Sequence, residues 1–185
     1  MCMDAVFAAF GGLGAAQEMG GRAMRILGID PGYAIVGFGA LDYTRNTFTT
    51  LQYGAITTKA HTTFEDRLSE IYDDMTQLLE KMIASDVIVL ATPVYFYSMC
   101  GQMKTMIDRT LPRYTEITDK DFYFIATAAA GAGAIQRTMD SLAGFTDCLP
   151  GAKVKDMIYG GGVYEKGDVT DTDNMKKAYE LGLNV

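Results

Sequence analysis

Three short stretches of the sequence combine residue types that could do chemistry. Residues 92–97 place three consecutive aromatic side chains directly after Thr-Pro-Val, and residues 127–131 contain only Thr, Ala and Gly. Aromatic side chains in a loop either fill space beneath a sheet or line a binding site, and small residues let a backbone approach a neighbour closely. The third stretch is Asp30-Pro31-Gly32, where the carboxylate suits a turn and is also a potential metal ligand.

Each of these stretches stands at the end of a predicted β-strand. Residues 25–30 form a short apolar segment that stops at the Pro-Gly turn signal. The segment 86–91 is apolar after its first residue, which is typical of a strand buried on both faces of a parallel sheet. Residues 122–127 predict the next strand. The chemistry-bearing residues are therefore expected where strands end and loops begin.

A long helix is predicted between the first two of these strands. Thr62 or Thr63 can cap it, and Glu65 and Asp66 in its first turn favour the positive end of the helix. Apolar residues recur along it at intervals of three and four: Leu68, Ile71, Tyr72, Met75, Leu78, Leu79, Met82 and Ile83. The other predicted elements are a hairpin of strands over 33–42 and 47–57, a strand over 154–160, and helices over 101–109, 134–144 and 173–183.

Composition narrows the class of protein. Hydrophobic residues make up 49% of the 185 residues, yet no apolar run approaches the roughly 18 residues that span a bilayer, so a membrane protein is excluded. The net charge of -7 repels nucleic acid at long range. Cys2, Cys100 and Cys148 show no CxxC spacing, which predicts neither a disulfide framework nor a zinc site and favours the cytoplasm.

The opening of the chain carries the motifs MRILGIDPG at 24–32 and YGAI at 53–56. On these motifs residues 24–74 resemble the N-terminus of RuvC-type Holliday-junction resolvases, which have an RNase H-like fold. The resemblance implies a nuclease in which several carboxylates hold two Mg2+ ions, with Asp30 as the first ligand. No Glu stands on the strand over 86–91 to act as the next ligand, so the resemblance implies an incomplete carboxylate site.

The rest of the chain carries DVIVLATPVY at 86–95 and GQMKTMIDR at 101–109. On these motifs residues from about 78 to 185 resemble NAD(P)H-dependent FMN reductases of the flavodoxin superfamily. The resemblance implies FMN as cofactor, NAD(P)H as co-substrate, and no catalytic side chain because the flavin carries the chemistry. It assigns the flavin ring to two loops whose cofactor-binding residues are Thr92, Pro93, Val94, Tyr95, Phe96, Tyr97, Thr127, Ala128, Ala129 and Gly131.

The loop after the first strand departs from the FMN reductase pattern. In that family a turn at this point cradles the FMN phosphate with N–H groups at the start of a helix. Here Pro31 has no N–H to donate, and Asp30 repels a phosphate. We therefore expect an intact subsite for the flavin ring, no subsite for the phosphate, and weak binding of FMN.

Both families place the first strand beside and parallel to the strand that follows the long helix, so the two parts can share one sheet. We expect an α/β fold: a three-layer sandwich with a mixed, mostly parallel central sheet in the order 3-2-1-4-5-6. Its C-terminal part is flavodoxin-like, and its N-terminal part is an RNase H-like β-meander. Residues 24–185 are predicted to form one domain, with residues 1–23 as a poorly ordered or peripheral extension before Met24.

The sequence leads to one preferred function and two alternatives. The preferred function is an FMN-dependent oxidoreductase of the NAD(P)H:flavin or quinone reductase type, impaired by the missing phosphate loop, in a chain that looks like a chimera or fusion. The alternatives are a RuvC-like, Mg2+-dependent Holliday-junction endonuclease resting on Asp30, and an inactive composite domain. The reductase resemblance also implies a homodimer and a small-molecule electron acceptor.

Overall fold

A computed structural model describes residues 23–31, 36–45, 47–56, 63–165 and 167–184. The extension predicted over 1–23 thus lies outside the described residues except for its last position. The strands are β1 (Met24–Pro31), β2 (Val36–Thr44), β3 (Thr47–Ile56), β4 (Val87–Tyr95), β5 (Ser98–Met99), β6 (Asp121–Ala128) and β7 (Lys153–Gly161). The helices are α1 (Phe64–Ala84), α2 (Gly101–Arg109), α3 (Ala132–Asp147) and α4 (Asp173–Leu183), with short 3-10 helices at Tyr114–Glu116 and Asp168–Asp171.

The strands form one mixed sheet in the order β3-β2-β1-β4-β6-β7, with the short β5 paired to the end of β4. The pairs β1–β2 and β2–β3 are antiparallel, and the pairs β1–β4, β4–β6 and β6–β7 are parallel. The prediction did not include β5, so its fifth and sixth strands are β6 and β7, and the predicted order is confirmed. The predicted mixed, mostly parallel character of the sheet is confirmed as well. The join between the resolvase-like and reductase-like parts is the β1–β4 pair, where Ile26 lies opposite Val87 and Ile29 opposite Leu90.

Helices lie on both faces of the sheet, which makes three layers. Alternate residues of a strand point to opposite faces, so Ile88 and Leu90 pack with one group of helices and Val87 and Val89 face the other way. The first face is covered by apolar residues of α1, α2 and α3: Leu78, Met82, Met103, Met106, Ile135 and Met139. The second face receives Ala178 and Leu181 of α4. No helix among the described residues is long and apolar enough to cross a membrane.

The first helix begins as its sequence predicts. The Thr63 hydroxyl accepts a hydrogen bond from the N–H of Asp66 at 3.2 Å, which satisfies one of the free donors of the first turn. Leu78, Leu79 and Met82 of its apolar stripe are buried. Tyr72 was wrongly placed in that stripe, since it is 71% exposed.

The strand β4 is longer than its sequence predicts. A proline normally ends a strand, yet β4 continues through Pro93 to Tyr95. Its neighbour β1 pairs only as far as Leu90. Among the described strands, Pro93 therefore pairs on one side alone, with β6. Such a one-sided position tolerates a proline because one direction of hydrogen bonding is not needed there.

Candidate flavin-ring site

Three parallel strands end at the same level on one edge of the sheet. Pro93 lies opposite Thr127, which lies opposite Gly160. One residue further on, Ala128 lies opposite Gly161. The loops that follow β4, β6 and β7 therefore leave the sheet side by side, and this edge brings together the two loops that the sequence assigns to the flavin ring.

The loop after β4 is a tight aromatic turn. Val94 pairs with Met99 and Tyr95 with Ser98, so Phe96 and Tyr97 are the two central residues of a β-hairpin. Both have positive φ, 51° and 64°, the left-handed conformation that hairpin turns normally give to Asn-Gly. For residues other than Gly, Asn or Asp this conformation costs roughly 1–2 kcal/mol each.

The aromatic side chains of this turn point into solvent. Tyr95 is 63% exposed, Phe96 fully exposed and Tyr97 57% exposed. The alternative in which these rings fill space beneath the sheet is therefore wrong. A strained backbone that presents the ring of Phe96 to water gains no core packing in return, and such local strain is typical of binding sites.

Two residues outside the turn, Thr92 and Arg137, hold it in place. The hydroxyl of Thr92, which is fully buried, accepts a hydrogen bond from the N–H of Cys100 at 3.1 Å and donates to the carbonyl of Pro93 at 2.9 Å. The guanidinium carbon of Arg137 on α3 lies 5.2 Å from the centroid of the Tyr97 ring, within the range of a cation–π contact. Thr92 thus positions the turn and does not line the surface, and Arg137 is a contact that sequence patterns did not indicate.

The loop after β6 supplies the small residues. Ala128 is almost fully buried at 9% exposure, whereas Ala129 and Gly131 are exposed. The N–H of Val163 donates to the carbonyl of Ala128 at 3.1 Å, and the N–H of Gly162 donates to the carbonyl of Ala130 at 3.2 Å. The two residues directly after β7 therefore fix this loop from one side.

Glycine is needed where β7 meets this loop but not at the surface of the loop itself. A Cβ on Gly161 would lie 3.0 Å from the carbonyl oxygen of Ala130 and 3.2 Å from the Cα of Gly131, both backbone atoms that cannot turn away. A Cβ on Gly131 would meet nothing within 4 Å. The open space in front of Gly131 leaves room for a ligand to approach the backbone.

The segment that follows β7 is ordered by a carboxylate. Asp168 accepts hydrogen bonds from the N–H groups of Glu165 and Tyr164, both at 2.8 Å. These two donors lower the pKa of Asp168 below its ordinary value, because they stabilise the charged form. The third loop at this edge thus has its own internal support.

The end of β1 differs from the other three parallel strands. Ile29 pairs with Leu90, so Asp30 lies level with Ala91, three residues and about 10 Å short of the level of Val94. The antiparallel strand β2 starts opposite the end of β1, with Pro31 opposite Val36. Residues 32–35, which connect the two strands, lie outside the described residues.

The described residues fit the ring of FMN, whereas the absence of a phosphate subsite stays a prediction. Exposed aromatic rings, small residues and open backbone at the ends of β4 and β6 suit a flat, polar-edged ring. A phosphate needs N–H groups at a helix start or in a nest, and residues 32–35, which follow β1, lie outside the described residues. Asp30, which is half-buried, brings a negative charge there.

The carboxylate cluster that the nuclease alternative requires is not assembled in the described part of the chain. Within residues 23–31, 36–45, 47–56, 63–165 and 167–184, no three His, Cys, Asp or Glu side chains converge on a point where a metal ion could sit. Asp30 is therefore not part of a metal-holding cluster among these described residues.

The fold and the site together define a flavodoxin-like α/β protein. The model of the NADPH-dependent FMN reductase family matches residues 40–157, more than half of the chain. The chain belongs to the NADPH-dependent FMN reductase family. The match begins within β2, well before the boundary near residue 78 that the sequence motifs predict.

Solved structures share this fold. The Trp repressor binding protein from Bacillus subtilis is 21% identical, with a TM-score of 0.52 over 59% of this chain and 76% of that chain. An FMN-dependent NADH-azoreductase from Bacillus anthracis, in complex with FMN, is 13% identical, with a TM-score of 0.51 over 67% of this chain and 66% of that chain. At these identities the likeness is one of fold, and it confirms the predicted three-layer architecture.

The resolvase resemblance is also found. The crossover junction endodeoxyribonuclease RuvC of Finegoldia magna is 48% identical over 63 residues, which are 34% of this chain and 38% of that protein. The chain thus spans less than two fifths of the length of this relative. Two resemblances therefore meet in one chain, as its motifs predict: a resolvase-like segment and a flavin-reductase-like body.

Proposed function

We propose that this protein is a flavin-dependent oxidoreductase that binds the isoalloxazine ring between the turn Tyr95–Tyr97 and the loop Thr127–Gly131. The observation that carries the proposal is the exposed aromatic turn. Its two central residues adopt a left-handed backbone that disfavours aromatic residues, and their rings stand free of the core. In a member of the FMN reductase family, a flavin ring is the ligand that such a surface suits.

Each element of the site has a part in holding the ring. Phe96 and its neighbours cover a face of the ring by stacking. The backbone at Ala129 and Gly131 approaches the polar edge, because nothing bulkier than a methyl group intervenes. Thr92 and Arg137 hold the aromatic turn from behind, and the end of β7 holds the small-residue loop. The site is thus supported on both sides by packed elements.

The flavin, when bound, accepts a hydride from NAD(P)H and passes electrons to an acceptor. The chain's own residues bind and orient the ring; no side chain is assigned to donate or remove a proton. A quinone or a free flavin is the acceptor class that we propose, since these small flat molecules can reach the exposed turn. The reaction balances because NAD(P)H gives up one hydride, that is two electrons and one proton, and the acceptor takes up these together with one proton from solvent.

Fluorescence titration of riboflavin tests the proposal directly. Binding at the site quenches the isoalloxazine emission, and Phe96→Asn is expected to weaken binding at least fivefold because the stacking ring is lost. Tyr72→Gln is the matched control, since Tyr72 is equally an exposed aromatic but lies on α1. Equal riboflavin binding by the Phe96→Asn variant, or none by the unmodified protein, would contradict the proposal. NADPH oxidation with riboflavin as acceptor then measures turnover.

A further inference from the structure

We infer that the electron acceptor is a quinone with a hydrocarbon side chain, and that a cavity between α2 and α3 holds this side chain. The inference rests on the proposed function, because it names the acceptor of the same reaction. The cavity has a volume of about 630 Å³, within the range of about 300–1,000 Å³ that is usual for small-molecule sites. It is therefore large enough for a substantial part of a substrate.

The cavity begins next to the aromatic turn. Met99, which pairs with Val94 in the hairpin that carries the turn, forms part of its wall. From there the cavity extends along α2 and α3, which follow the carboxyl ends of β4 and β6. On the α3 side its wall runs from Ser141 to Cys148, which is about 10 Å along a helix. A molecule whose head lies at the turn can thus extend its side chain into the cavity.

The wall of the cavity is mainly apolar and is supported by the core. On α3, Ser141, Phe145 and Cys148 are spaced four and three residues apart, so they share one face of the helix. The ring of Phe145 also packs edge-on against the ring of Phe122, with 6.4 Å between the centroids. The apolar side chains of the opposite wall are Met99, Ile107, Leu111 and Tyr114. Leu111 is 70% exposed, and a hydrocarbon chain in the cavity would remove part of this apolar surface from water.

The charges on the wall neutralise each other. Lys104 and Asp108, one turn apart on α2, form an ion pair. The hydroxyl of Thr110 donates a hydrogen bond to the carbonyl of Ile107 at 2.7 Å, so this polar group is satisfied within the protein. The wall that the described residues form therefore suits a neutral molecule with few polar atoms.

Among the small molecules of the proposed reaction, a quinone fits this description. NAD(P)H carries charged phosphates, whose burial against apolar side chains is costly. A free flavin carries a chain of hydroxyl groups, for which the same argument holds. A quinone is neutral, and its hydrocarbon chain is stabilised by burial against Leu111 and Phe145. The cavity thus favours a quinone with a hydrocarbon chain over a free flavin as the acceptor.

The exposed thiol of Cys148 allows a direct test, because a molecule that fills the cavity shields this thiol from alkylation. The full chain is titrated with two fully substituted benzoquinones that differ in one ring substituent, which is either decyl or methyl. Mass spectrometry of the peptide that contains Cys148 measures its alkylation by iodoacetamide. We expect the decyl quinone to protect Cys148 at a concentration about tenfold lower than the methyl quinone, because each buried methylene strengthens binding.

Variants of the wall test where the side chain binds. Ser141→Trp fills the cavity and should remove most of the difference between the two quinones. Asp140→Trp is the matched control, since Asp140 is an exposed residue of the same helix outside the wall. Leu111→Gln leaves the cavity open but makes it more polar, and should reduce the difference severalfold. Ser141 and Leu111 are exposed, so both substitutions are compatible with folding.

Turnover supplies a second measurement of the same preference. In NADPH oxidation with riboflavin bound, the decyl quinone should show a KM about tenfold lower than the methyl quinone at a similar kcat. Ser141→Trp should raise the KM of the decyl quinone and leave that of the methyl quinone unchanged, because the methyl quinone does not reach into the cavity.

A riboflavin titration in parallel separates this inference from the proposed function. If riboflavin binds but the two quinones protect Cys148 equally, or if Ser141→Trp leaves their difference unchanged, the inference is wrong and the proposed function stands. If riboflavin does not bind, the proposed function fails, and the acceptor role of the cavity fails with it. If Cys148 is shielded without any quinone and becomes reactive when the protein is diluted, a second copy of the chain occupies the cavity and the inference is overturned.

Discussion

At the scale of single residues, the aromatic turn contains residue types that suit ligand binding but lower the stability of the fold. Phe96 and Tyr97 occupy the two left-handed positions of a hairpin, where Asn and Gly are the favoured residues. Because the ring of Phe96 is fully exposed, it contributes no core packing that would offset the strain. The residue types that suit the fold and those that suit the ligand therefore differ at this position.

Phe96→Asn should raise the free energy of unfolding by about 1 kcal/mol, because Asn adopts the left-handed conformation more readily than Phe. Urea denaturation measures this, with a shift of the midpoint and an unchanged slope. The same variant is the one expected to lose riboflavin affinity. A decrease in stability would show that Phe96 supports the fold and would remove the argument from strain.

Thr92 is a buried support of the same turn. Thr92→Val keeps the shape of the side chain but removes the acceptor used by the N–H of Cys100, which should lower the free energy of unfolding by about 1–3 kcal/mol. Thr105→Val is the control, since its hydroxyl bonds within its own exposed helix turn and its loss should cost under about 0.5 kcal/mol. Equal losses measured by urea denaturation would contradict a special role for Thr92.

The sequence indicates which residues of the site are unusual but not how they are held. Three consecutive aromatics after Pro93 are visible in the sequence, whereas Phe-Tyr carries none of the signals of a two-residue turn. The strand Ser98–Met99 is too short to be recognised from an alternation of apolar and polar residues. Arg137 lies 40 residues from Tyr97 along the chain, a distance over which no local pattern predicts contact.

At the scale of elements, each loop at the carboxyl edge of the sheet is held by a different local interaction. The segment after β7 depends on Asp168, whose pKa is lowered by the N–H groups of Glu165 and Tyr164. A carboxyl group with a lowered pKa stabilises the folded form fully above its unfolded pKa, near 4. That contribution is lost as the pH falls through the lowered, folded-state value.

The amide NMR signals of Tyr164 and Glu165 should therefore titrate together, with a midpoint below about pH 4. Asp168→Asn should abolish this titration, because an amide side chain does not ionise in this range. Asp173→Asn, which removes a nearby exposed carboxylate, should leave it unchanged. A midpoint at or above the ordinary value for Asp would show that the two hydrogen bonds do not form in solution.

The start of α1 was predicted correctly because a local cap decides it, whereas the end of β4 was predicted wrongly because tertiary pairing decides it. Thr63 begins α1 as its capping pattern indicates, because capping depends on residues close in sequence. The strand β4 reaches Tyr95 because Val94 and Tyr95 pair with β5, and it continues through Pro93 because β6 still pairs with it there. Such pairing depends on a strand more than 30 residues away along the chain, so the local signal of Thr-Pro gave the wrong end.

At the scale of the whole molecule, one sheet joins segments with two different resemblances. The order β3-β2-β1-β4-β6-β7 was predictable because both families pair the first strand with the strand after the long helix. Burial confirms the join: Ile26 and Leu27 of β1 and Val87 and Ile88 of β4 are all 2% exposed or less. The residues at the join are therefore core residues of a common interior.

We expect the two segments to unfold together, because their shared core cannot be exposed in one without loss of packing in the other. Hydrogen exchange measured against urea should show amides of β2 and of β6 losing protection at the same urea concentration. Earlier loss of protection throughout β1, β2 and β3, while β6 and β7 stay protected, would show instead that the resolvase-like strands form a separate unit.

The β1–β4 pair also has a consequence for how the chain folds. The paired strands β1 and β2, and likewise β2 and β3, are joined by short connections. In the β1–β4 pair, by contrast, the opposite residues Ile26 and Val87 lie 61 residues apart along the chain. Closing so long a loop costs more chain entropy than closing a hairpin, and contacts between distant residues slow folding. We therefore expect the meander to form early and its docking beside β4 to be the rate-limiting event. Substitutions in the β2–β3 hairpin should accordingly change the folding rate more than the unfolding rate. The edge of the sheet that carries the ring site should then be among the last parts of the molecule to form.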